Sequence, residues 1–292
     1  MTASVDSLDT AAAREPWRRV LALRRSGSVV AGTVILALFA IATVISAFWT
    51  PYPPMAPAVG PFYSPPSAAH LFGTDAVGAD IFSRVLAATQ TDVGITVSVV
   101  GIALVAGTVL GAASGFVGGG LDRLLMRLFQ VMNSFPSILL AMLVISAIGG
   151  GILDVIVTVA LIPVPEYARL ARAEVMSKKN WQFAEAARMI GRRPGGVLFR
   201  HVLPNSMRPI VAYAGINASW VISTVGALGF VGLGIEPGSA EWGSMIAAGQ
   251  AGIVNGQWWI SFFPGLCILL LAVAFHLIGD GLSDADIDRR GR

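Results

Sequence analysis

The residue types that carry out catalysis or bind metals are few in this 292-residue sequence and lie far apart. Its three histidines and one cysteine show neither the C-x-x-C nor the H-E-x-x-H spacing of a metal site. His276 precedes Asp280 by one helical turn, and Asp75 lies near Asp80, so an acid–base pair or a metal site is conceivable. The sequence contains no phosphate-binding G-x-x-x-x-G-K-[ST] loop. We therefore expect no catalytic residue, no metal and no cofactor in this chain.

The composition indicates a protein that lies in a membrane. Hydrophobic residues make up 55% of the chain, charged residues only 13%, and the mean hydropathy is +0.72. A soluble domain carries about 25% charged residues, so this chain has too few to cover a water-exposed surface. The sequence predicts an all-α integral membrane protein with six transmembrane helices, each long enough to cross about 30 Å of hydrocarbon. The predicted spans are 29–49, 93–117, 129–149, 152–167, 209–234 and 258–278.

The positive charges give the six spans a direction. All of the 20 lysines and arginines except Arg84 lie in alternate segments of the six-span arrangement. By the positive-inside rule both termini and the long loop 168–208 are cytoplasmic, and this pattern favours membrane orientation over nucleic-acid binding. The predicted organisation is a cytoplasmic segment 1–28, a first helix with its external loop 29–92, a five-helix core 93–280 that contains the loop 168–208, and a cytoplasmic tail 281–292.

Small residues recur at every fourth position of the second predicted span. They are Ala103, Gly107, Gly111 and Gly115. Such a ridge lets two helix backbones approach closely in lipid, where hydrophobicity alone does not favour helix association. We therefore predict that this face of the helix is a packing seam.

The long basic loop is too regular to be a simple connector. A helix is predicted over 167–180, supported by Glu174 and Lys178 four residues apart. A second, short helix is predicted over 181–190, and Gly191 ends it. One face of this short helix is predicted to be apolar and open to another protein: Phe183, Ala186, Ala187 and Ile190.

The short helix and the residues that follow it match a known motif. The matching residues are Glu185, Ala186, Ala187, Gly191, Leu203 and Pro204. Their order and spacing resemble the cytoplasmic EAA motif, EAA-x3-G-x9-I-x-L-P, of bacterial ABC-importer permeases. His201 stands where that motif has isoleucine, and we expect Val202 to supply the local apolar contact.

The resemblance covers roughly residues 20–289. The stretch from His70 to Arg84 is similar to the H-x-x-G-T-D-x-x-G-x-D-x-x-S-R sequence of dipeptide and oligopeptide permeases of the C type (DppC/OppC-like). Ala79 replaces the arginine often found there, and residues 284–289 depart from the usual D-x-L-D-P-R ending.

The resemblance implies a type I ABC-importer permease of MetI-like architecture in the bacterial cytoplasmic membrane. It further implies a second homologous permease subunit in a heterodimer, two cytoplasmic ATPases that bind ATP and Mg, and an extracytoplasmic binding protein that delivers di- or oligopeptides. The helix over 181–191 would be the coupling helix, with Glu185 and Gly191 as its fixed points. Contact with the binding protein is expected on the outer face: Asp75, Asp80 and Trp242.

Polar side chains at membrane depth are candidates for the translocation path. Such groups face protein or a water-filled path, because exposure to hydrocarbon is costly. Ordinary helix-to-helix hydrogen bonds remain equally open for each of them. The candidates are Asn133, Ser134, Asn217, Ser223 and Thr224.

Three alternative functions stay open at this point. The same permease type also imports nickel and other small solutes. An ATP-independent transporter is disfavoured because it would usually place several ionisable residues at mid-membrane, where this sequence has almost none. A membrane enzyme is disfavoured because the pair His276 and Asp280 would lie at the cytoplasmic side, whereas Asp75 and Asp80 would lie at the outer side, a membrane thickness away.

Overall fold

The computed structural model describes residues 27–235 and 238–290, with the side chains of 285–290 left aside. The predicted cytoplasmic segment thus lies outside the described residues up to position 26. Helices dominate the described chain, which contains no β-strand beyond an isolated bridge between Thr74 and Asp80. The helices are α1 Gly27–Phe48, α2 Ile81–Val117, α3 Gly119–Met132, α4 Ser137–Ile148, α5 Ile152–Leu161, α6 Val164–Lys178, α7 Gln182–Met189, α8 Pro194–Val197, α9 Leu203–Phe230, α10 Trp242–Ile253 and α11 Trp259–Arg290. A π-helical turn, Leu198–Val202, joins α8 to α9.

The number of helices able to span a membrane differs from the prediction of six. Among the described residues, four helical stretches are long and apolar enough: α1, α2, Pro194–Phe230 and Trp259–Asp284. The count rises to five if α3 and α4, which bend by 88° at the break between them, form one broken span. The predicted fourth span is divided into α5 and α6, each too short to cross alone.

Proline explains both interruptions. Pro136 immediately precedes α4 and Pro163 immediately precedes α6. Proline donates no backbone hydrogen bond and its ring crowds the preceding turn, so a continuous apolar run need not form a continuous helix. The predicted runs 129–149 and 152–167 are therefore wrong as single helices, although both regions are helical.

The second span begins well before its predicted start at residue 93. Asp80 caps α2, since its Oδ2 accepts a hydrogen bond from the Ser83 amide at 2.8 Å. A capped start stabilises the extra helical turns even though the apolar run begins later. As a result, Asp92 lies inside a long helix and the segment between α1 and α2 ends at residue 80.

The small-residue ridge of α2 packs directly on α6, as predicted. A Cβ atom added to Gly107 would lie 2.7 Å from the Val164 carbonyl oxygen, and one on Gly115 would lie 2.7 Å from that of Arg172. Between them, a Cβ on Gly111 would collide with the carbonyl oxygen of Ala168. The contacted residues of α6 are also spaced by four, so the two backbones meet along matching rows.

A second close approach joins α9 to α11. A Cβ added to Gly215 would lie 2.7 Å from the Cα of Gly279. The helix α1 packs on α11 through Gly32, where an added Cβ would lie 2.8 Å from the Ala274 carbonyl oxygen. Glycine-mediated contacts therefore join α1 to α11, α11 to α9, and α2 to α6. The loop that contains α7 connects α6 to α9.

Candidate functional sites: a coupling loop and a polar cavity

The short helix α7 ends at a glycine for a conformational reason. Gly191 has φ +79°, in the left-handed region that favours glycine. Its amide donates to Arg188 O at 2.9 Å, and the amide of Arg192 donates to Ala187 O at 3.1 Å. These two bonds form a Schellman motif, which satisfies carbonyl groups at the helix end and confirms the predicted termination at Gly191.

The face of α7 predicted to be open to another protein is exposed only in part. Ala184 and Ala187 are buried against Val175, Val197 and Val202. Of the face predicted to be open, Ala186 and Ile190 are exposed, whereas Phe183 is half-buried and Ala187 is buried, because Ala184 and Ala187 are the pair that reaches the core. The side of α7 that faces away from the chain is therefore rich in apolar and small residues around one carboxylate. It comprises Trp181, Glu185, Ala186, Met189 and Ile190, which we call the outer face of α7.

The outer face of α7 contains unusually exposed apolar side chains. Met189 is 90% exposed and Ile190 is 75% exposed, and Trp181 at the N-terminal end of the helix is also exposed. Exposed apolar clusters with a polar component are typical of protein-binding surfaces. Glu185 lies among them with an accessible side chain. This arrangement can bind another protein.

Polar contacts tie α7 to the membrane helices. The Arg188 guanidinium donates to Lys179 O at 2.8 Å, and Lys179 Nζ donates to Gly115 O in α2 at 3.0 Å. Lys178 Nζ donates to Glu174 at 2.6 Å, which confirms the predicted pair, and to Asn205 O in α9 at 2.9 Å. A displacement of α7 would therefore be transmitted to α2, α6 and α9.

The remaining motif residues lie where the loop re-enters the helical core. Pro204 occupies the first turn of α9, where its missing N–H is tolerated, and Leu203 packs on the cluster beneath α7. Val202 is completely buried in that cluster, which confirms that it makes the local apolar contact. His201 lies in the π-helical turn, and its Nε2 is buried without a hydrogen-bond partner among the described residues.

A polar cavity of about 480 Å³ lies at the two helix breaks. Asn133 and Asn217, both predicted for a path, line it. Tyr167 donates a hydrogen bond to Asn217 Oδ1 at 3.1 Å, and Asn133 Nδ2 donates to Glu166 Oε1 at 3.2 Å. The lining residues are Met132, Asn133, Phe135, Ser137, Leu140, Ile162, Pro163, Glu166, Tyr213, Ile216, Asn217 and Trp220.

The other three path candidates are not among the residues that line this cavity. Ser134 and Ser223 are exposed and donate to the carbonyl oxygens of Val131 and Ser219 in their own helical segments. Thr224 is buried. A role for these three residues in a path stays a prediction.

Glu166, Tyr213 and Trp220 were missed as cavity residues by the sequence reasoning. Tyr213 and Trp220 lie four residues before and three residues after Asn217, on the same face of a helix, which was a usable signal. Glu166 gave no signal, because its place in the cavity depends on the break at Pro163. It also forms an ion pair with Arg169.

The three predicted contact residues of the outer face are all buried. Asp80 accepts from His70 Nδ1 at 2.9 Å, and Asp75 accepts from Arg84 at 2.7 Å. Trp242 is fully buried, with its indole N–H donating to Val85 O at 3.1 Å. These side chains organise the segment between α1 and α2 and the start of α10. Their direct contact with a binding protein stays a prediction, and this conformation gives them internal partners instead.

The apolar helices and the exposed apolar face of α7 define the class: a helical membrane protein with a protein-binding surface on its basic loop. Residues 107–285 match the family described as binding-protein-dependent transport system inner membrane component, and the chain belongs to this family. The resemblance to ABC-importer permeases is thereby confirmed.

Several curated proteins are similar over most of their length. The probable D,D-dipeptide transport system permease protein DdpC of Escherichia coli (strain K12) is 37% identical, over 90% of this chain and 88% of that protein. The glutathione transport system permease protein GsiD of Pectobacterium atrosepticum is 38% identical, over 93% and 89%. The dipeptide transport system permease protein DppC of Alkalihalophilus pseudofirmus is 34% identical, over 95% and 91%.

The fold has a counterpart among solved structures. A chain from the inward-facing MetNI methionine ABC transporter superposes with a TM-score of 0.54 at 18% identity, covering 72% of this chain and 96% of that one. At this identity the likeness concerns the fold alone. It supports the MetI-like permease architecture expected from the sequence.

Proposed function

We propose that this chain is a permease subunit of an ATP-driven importer that moves di- or oligopeptides inward across the cytoplasmic membrane. The observation that carries the proposal is the outer face of α7, an exposed apolar surface around Glu185 on a helix tied to three membrane helices. The peptide substrate is supported by the names of the similar permeases, which transport dipeptides or glutathione.

The coupling step begins with α7 bound in a groove of a partner ATPase. Met189 and Ile190 would lose their exposed apolar surface to that groove, which stabilises the complex by about 25 cal/mol per Å² removed from water. Glu185 would accept hydrogen bonds at the edge of the contact. Movement of the ATPases would then displace α7, and its buried alanines and the Lys178 and Lys179 contacts would pass that displacement to α6, α9 and α2.

The displaced helices include those that form the polar cavity. Its walls come from the break between α3 and α4, from the start of α6 and from the middle of α9. A shift of α6 relative to α9 changes the cavity's width, which is what alternating access requires. Its mixture of apolar walls with Asn133, Asn217 and Glu166 suits the peptide backbone, whose N–H and C=O groups need partners away from water.

We assign the hydrolysis of ATP, which supplies the energy for transport, to partner subunits. Two cytoplasmic ATPases would bind ATP with Mg, a second homologous permease subunit would complete the path, and an extracytoplasmic binding protein would deliver the peptide. In this arrangement both termini and α7 face the cytoplasm, where the basic residues concentrate. The chain itself performs no catalysis.

The test uses the assembled importer in proteoliposomes, with ATP hydrolysis and uptake of a labelled dipeptide measured together. Glu185→Ala and Met189→Asp should each lower uptake per ATP hydrolysed by about tenfold or more, because each removes a contact of the outer face of α7. Asp280→Ala, an exposed acidic position on α11, is the matched control and should retain the wild-type ratio.

The same preparation tests the substrate class. Unlabelled di- and tripeptides should compete with the labelled dipeptide, whereas a nickel salt should not. A wild-type ratio of uptake to hydrolysis in both α7 variants would contradict the coupling role. Competition by nickel but not by peptides would contradict the substrate.

A further inference from the structure

Two acidic side chains meet in the interior at the end of α2 opposite the coupling loop. Asp92 lies about three turns into α2, Glu241 immediately precedes α10, and both are fully buried. Asp92 Oδ2 accepts the amide of Trp242 at 3.1 Å. The Glu241 carboxylate caps α10, with Oε1 accepting from Gly243 N at 2.7 Å and Oε2 from Ser244 N at 2.6 Å.

Two glycines leave the space that the Glu241 carboxyl occupies. A Cβ added to Gly243 would lie 2.9 Å from Glu241 Oε1, and one added to Gly229 in α9 would collide with the same carboxyl group. The carboxyl is therefore enclosed between α9 and α10, next to α2. Water cannot replace its neighbours without the helices separating, so its interactions with protein groups decide its charge state.

Basic side chains on the surrounding helices cannot neutralise the pair. The sequences of α1 and α10 contain no ionisable residue. The single basic residue of α2, Arg84, is occupied by Asp75 at 2.7 Å and by the carbonyl oxygen of Gly238 at 3.1 Å. The single basic residue of α9, Arg208, lies about 30 Å along that helix from Gly229.

No basic side chain described on α11 lies beside the pair, and Arg289 and Arg290 are more than 20 residues along the helix from Cys267. Cys267 in α11 is close enough to Asp92 for their charges to interact, but a thiol carries no positive charge. His276 is more than two turns further along α11 and pairs with Asp280 at 3.2 Å. Two adjacent carboxylates would therefore lie in a buried environment without a compensating positive charge on any of these helices among the described side chains, which is strongly unfavourable.

A single proton resolves this conflict. The two carboxyl groups lie close together, because Asp92 accepts from the Trp242 amide and Glu241 accepts from the amides of the two residues that follow Trp242. An ionised carboxylate can only accept, so a hydrogen bond between them needs a proton on one. Asp92 Oδ1 is buried and receives no hydrogen bond from an N–H or O–H group of the described residues. Burial also raises the pKa of Glu241, against the opposing effect of the Ser244 and Gly243 amides.

We propose that Asp92 and Glu241 hold one proton between them, and that the resulting acid–carboxylate hydrogen bond fastens the start of α10 to α2. The two are positioning residues, since they join distant parts of the chain rather than contacting a substrate. This inference does not rest on the proposed transport function, because the proton and the bond can be observed in the isolated chain.

The pH dependence follows from where the proton is bound more tightly. In the unfolded chain both carboxyls ionise near pH 4, whereas the folded pair keeps its proton to higher pH. The stabilisation that the bound proton gives to the folded chain is therefore complete below about pH 4, and it is lost as pH rises through the pKa of the folded pair. In Asp92→Asn the amide donates to Glu241 at every pH, so this dependence should disappear.

The decisive measurement is infrared spectroscopy of the full-length purified chain. At pH 7 the wild type should show a buried carboxylic-acid C=O band, absent from both Asp92→Asn and Glu241→Gln and unchanged in the control Asp280→Asn. Thermal unfolding should support the same assignment. When the pH is raised from about 6 to about 9, the unfolding temperature of the wild type should fall by about 3 °C or more beyond any fall seen in Asp92→Asn.

Three results would overturn the proposal. One is a wild-type spectrum without a protonated carboxyl band at pH 7, which is informative even if the variants fail to fold. Another is an unchanged band in both single variants. The third is the same pH dependence of unfolding in the wild type and in Asp92→Asn.

Discussion

Two glycines show how one residue type serves two physical requirements. Gly111 lies in ordinary helix, and its importance comes from the Ala168 carbonyl that its missing side chain allows to approach. Gly191 has open space around it, and its importance comes from its positive φ. The first requirement concerns volume between helices, and the second concerns backbone conformation, so substitutions at the two positions should fail in different ways.

Gly111→Val should weaken the seam between α2 and α6. The added side chain has to displace the backbone of α6, and overpacking of this kind costs about 1–3 kcal/mol. The measurement is the thermal unfolding temperature of the purified chain in detergent, together with the amount inserted in membranes. Gly101→Val is the matched control on the same helix, because nothing lies within 4 Å of its added Cβ. Equal losses at both positions would show that the seam does not depend on close approach.

The elements around the coupling loop differ in how firmly they are held. The helix α6 is packed along α2, whereas α7 has only eight residues and contacts the chain mainly through Ala184 and Ala187. A helix this short is not stable by itself, so its end motif and its few buried contacts keep it formed. The geometry of α7 should consequently be sensitive to changes that leave the membrane helices intact.

Gly191→Ala should disturb α7 without disturbing insertion. An L-residue in the left-handed conformation costs about 1 kcal/mol, which loosens the Schellman motif and the C-terminal turn with Met189 and Ile190. We expect lower dipeptide uptake per ATP hydrolysed, at unchanged amounts of chain in the membrane. Gly195→Ala is the control in the same loop, since Gly195 also has open space but no positive φ. A wild-type ratio in Gly191→Ala would show that the turn is not needed for coupling.

The two ends of the molecule differ, both in their charges and in what the two ends of α2 contact. The N-terminal end of α2 meets the segment after α1 and the start of α10, while its C-terminal end contacts Lys179 beside the coupling loop. The basic residues cluster at the second end. By the positive-inside rule we expect the coupling loop in the cytoplasm and the segment between α1 and α2 outside.

Cysteine labelling in intact cells should report this orientation. In a Cys267→Ala background, Leu71→Cys should react with a membrane-impermeant maleimide, because Leu71 is exposed in the outer segment. Gln182→Cys, exposed at the start of α7, should react only after the membrane is permeabilised. Both variants should label equally in detergent, which controls for accessibility. Labelling of Gln182→Cys alone in intact cells would reverse the assigned orientation.

Local patterns were sufficient for several features of the chain. Low charge and long apolar runs identified a helical membrane protein, and the fourfold spacing of Ala103, Gly107, Gly111 and Gly115 identified the seam. Gly191 marked the end of α7, and the EAA pattern identified the family. These features depend on residues that are close in sequence, so their spacing alone contains the required information.

Contacts between distant residues decided the rest. Hydropathy could not show that Asp80 starts α2 early or that Pro136 and Pro163 divide two spans, because helix ends depend on caps and on tertiary support. The inner face of α7 was set by the valines beneath Ala184, and the cavity by where the broken helices meet. Asp92 contacts the backbone of Trp242, 150 residues away. The sequence by itself determined a helical permease with a coupling loop, whereas only the folded chain brought two acidic residues together, because burial and proximity are properties of packing.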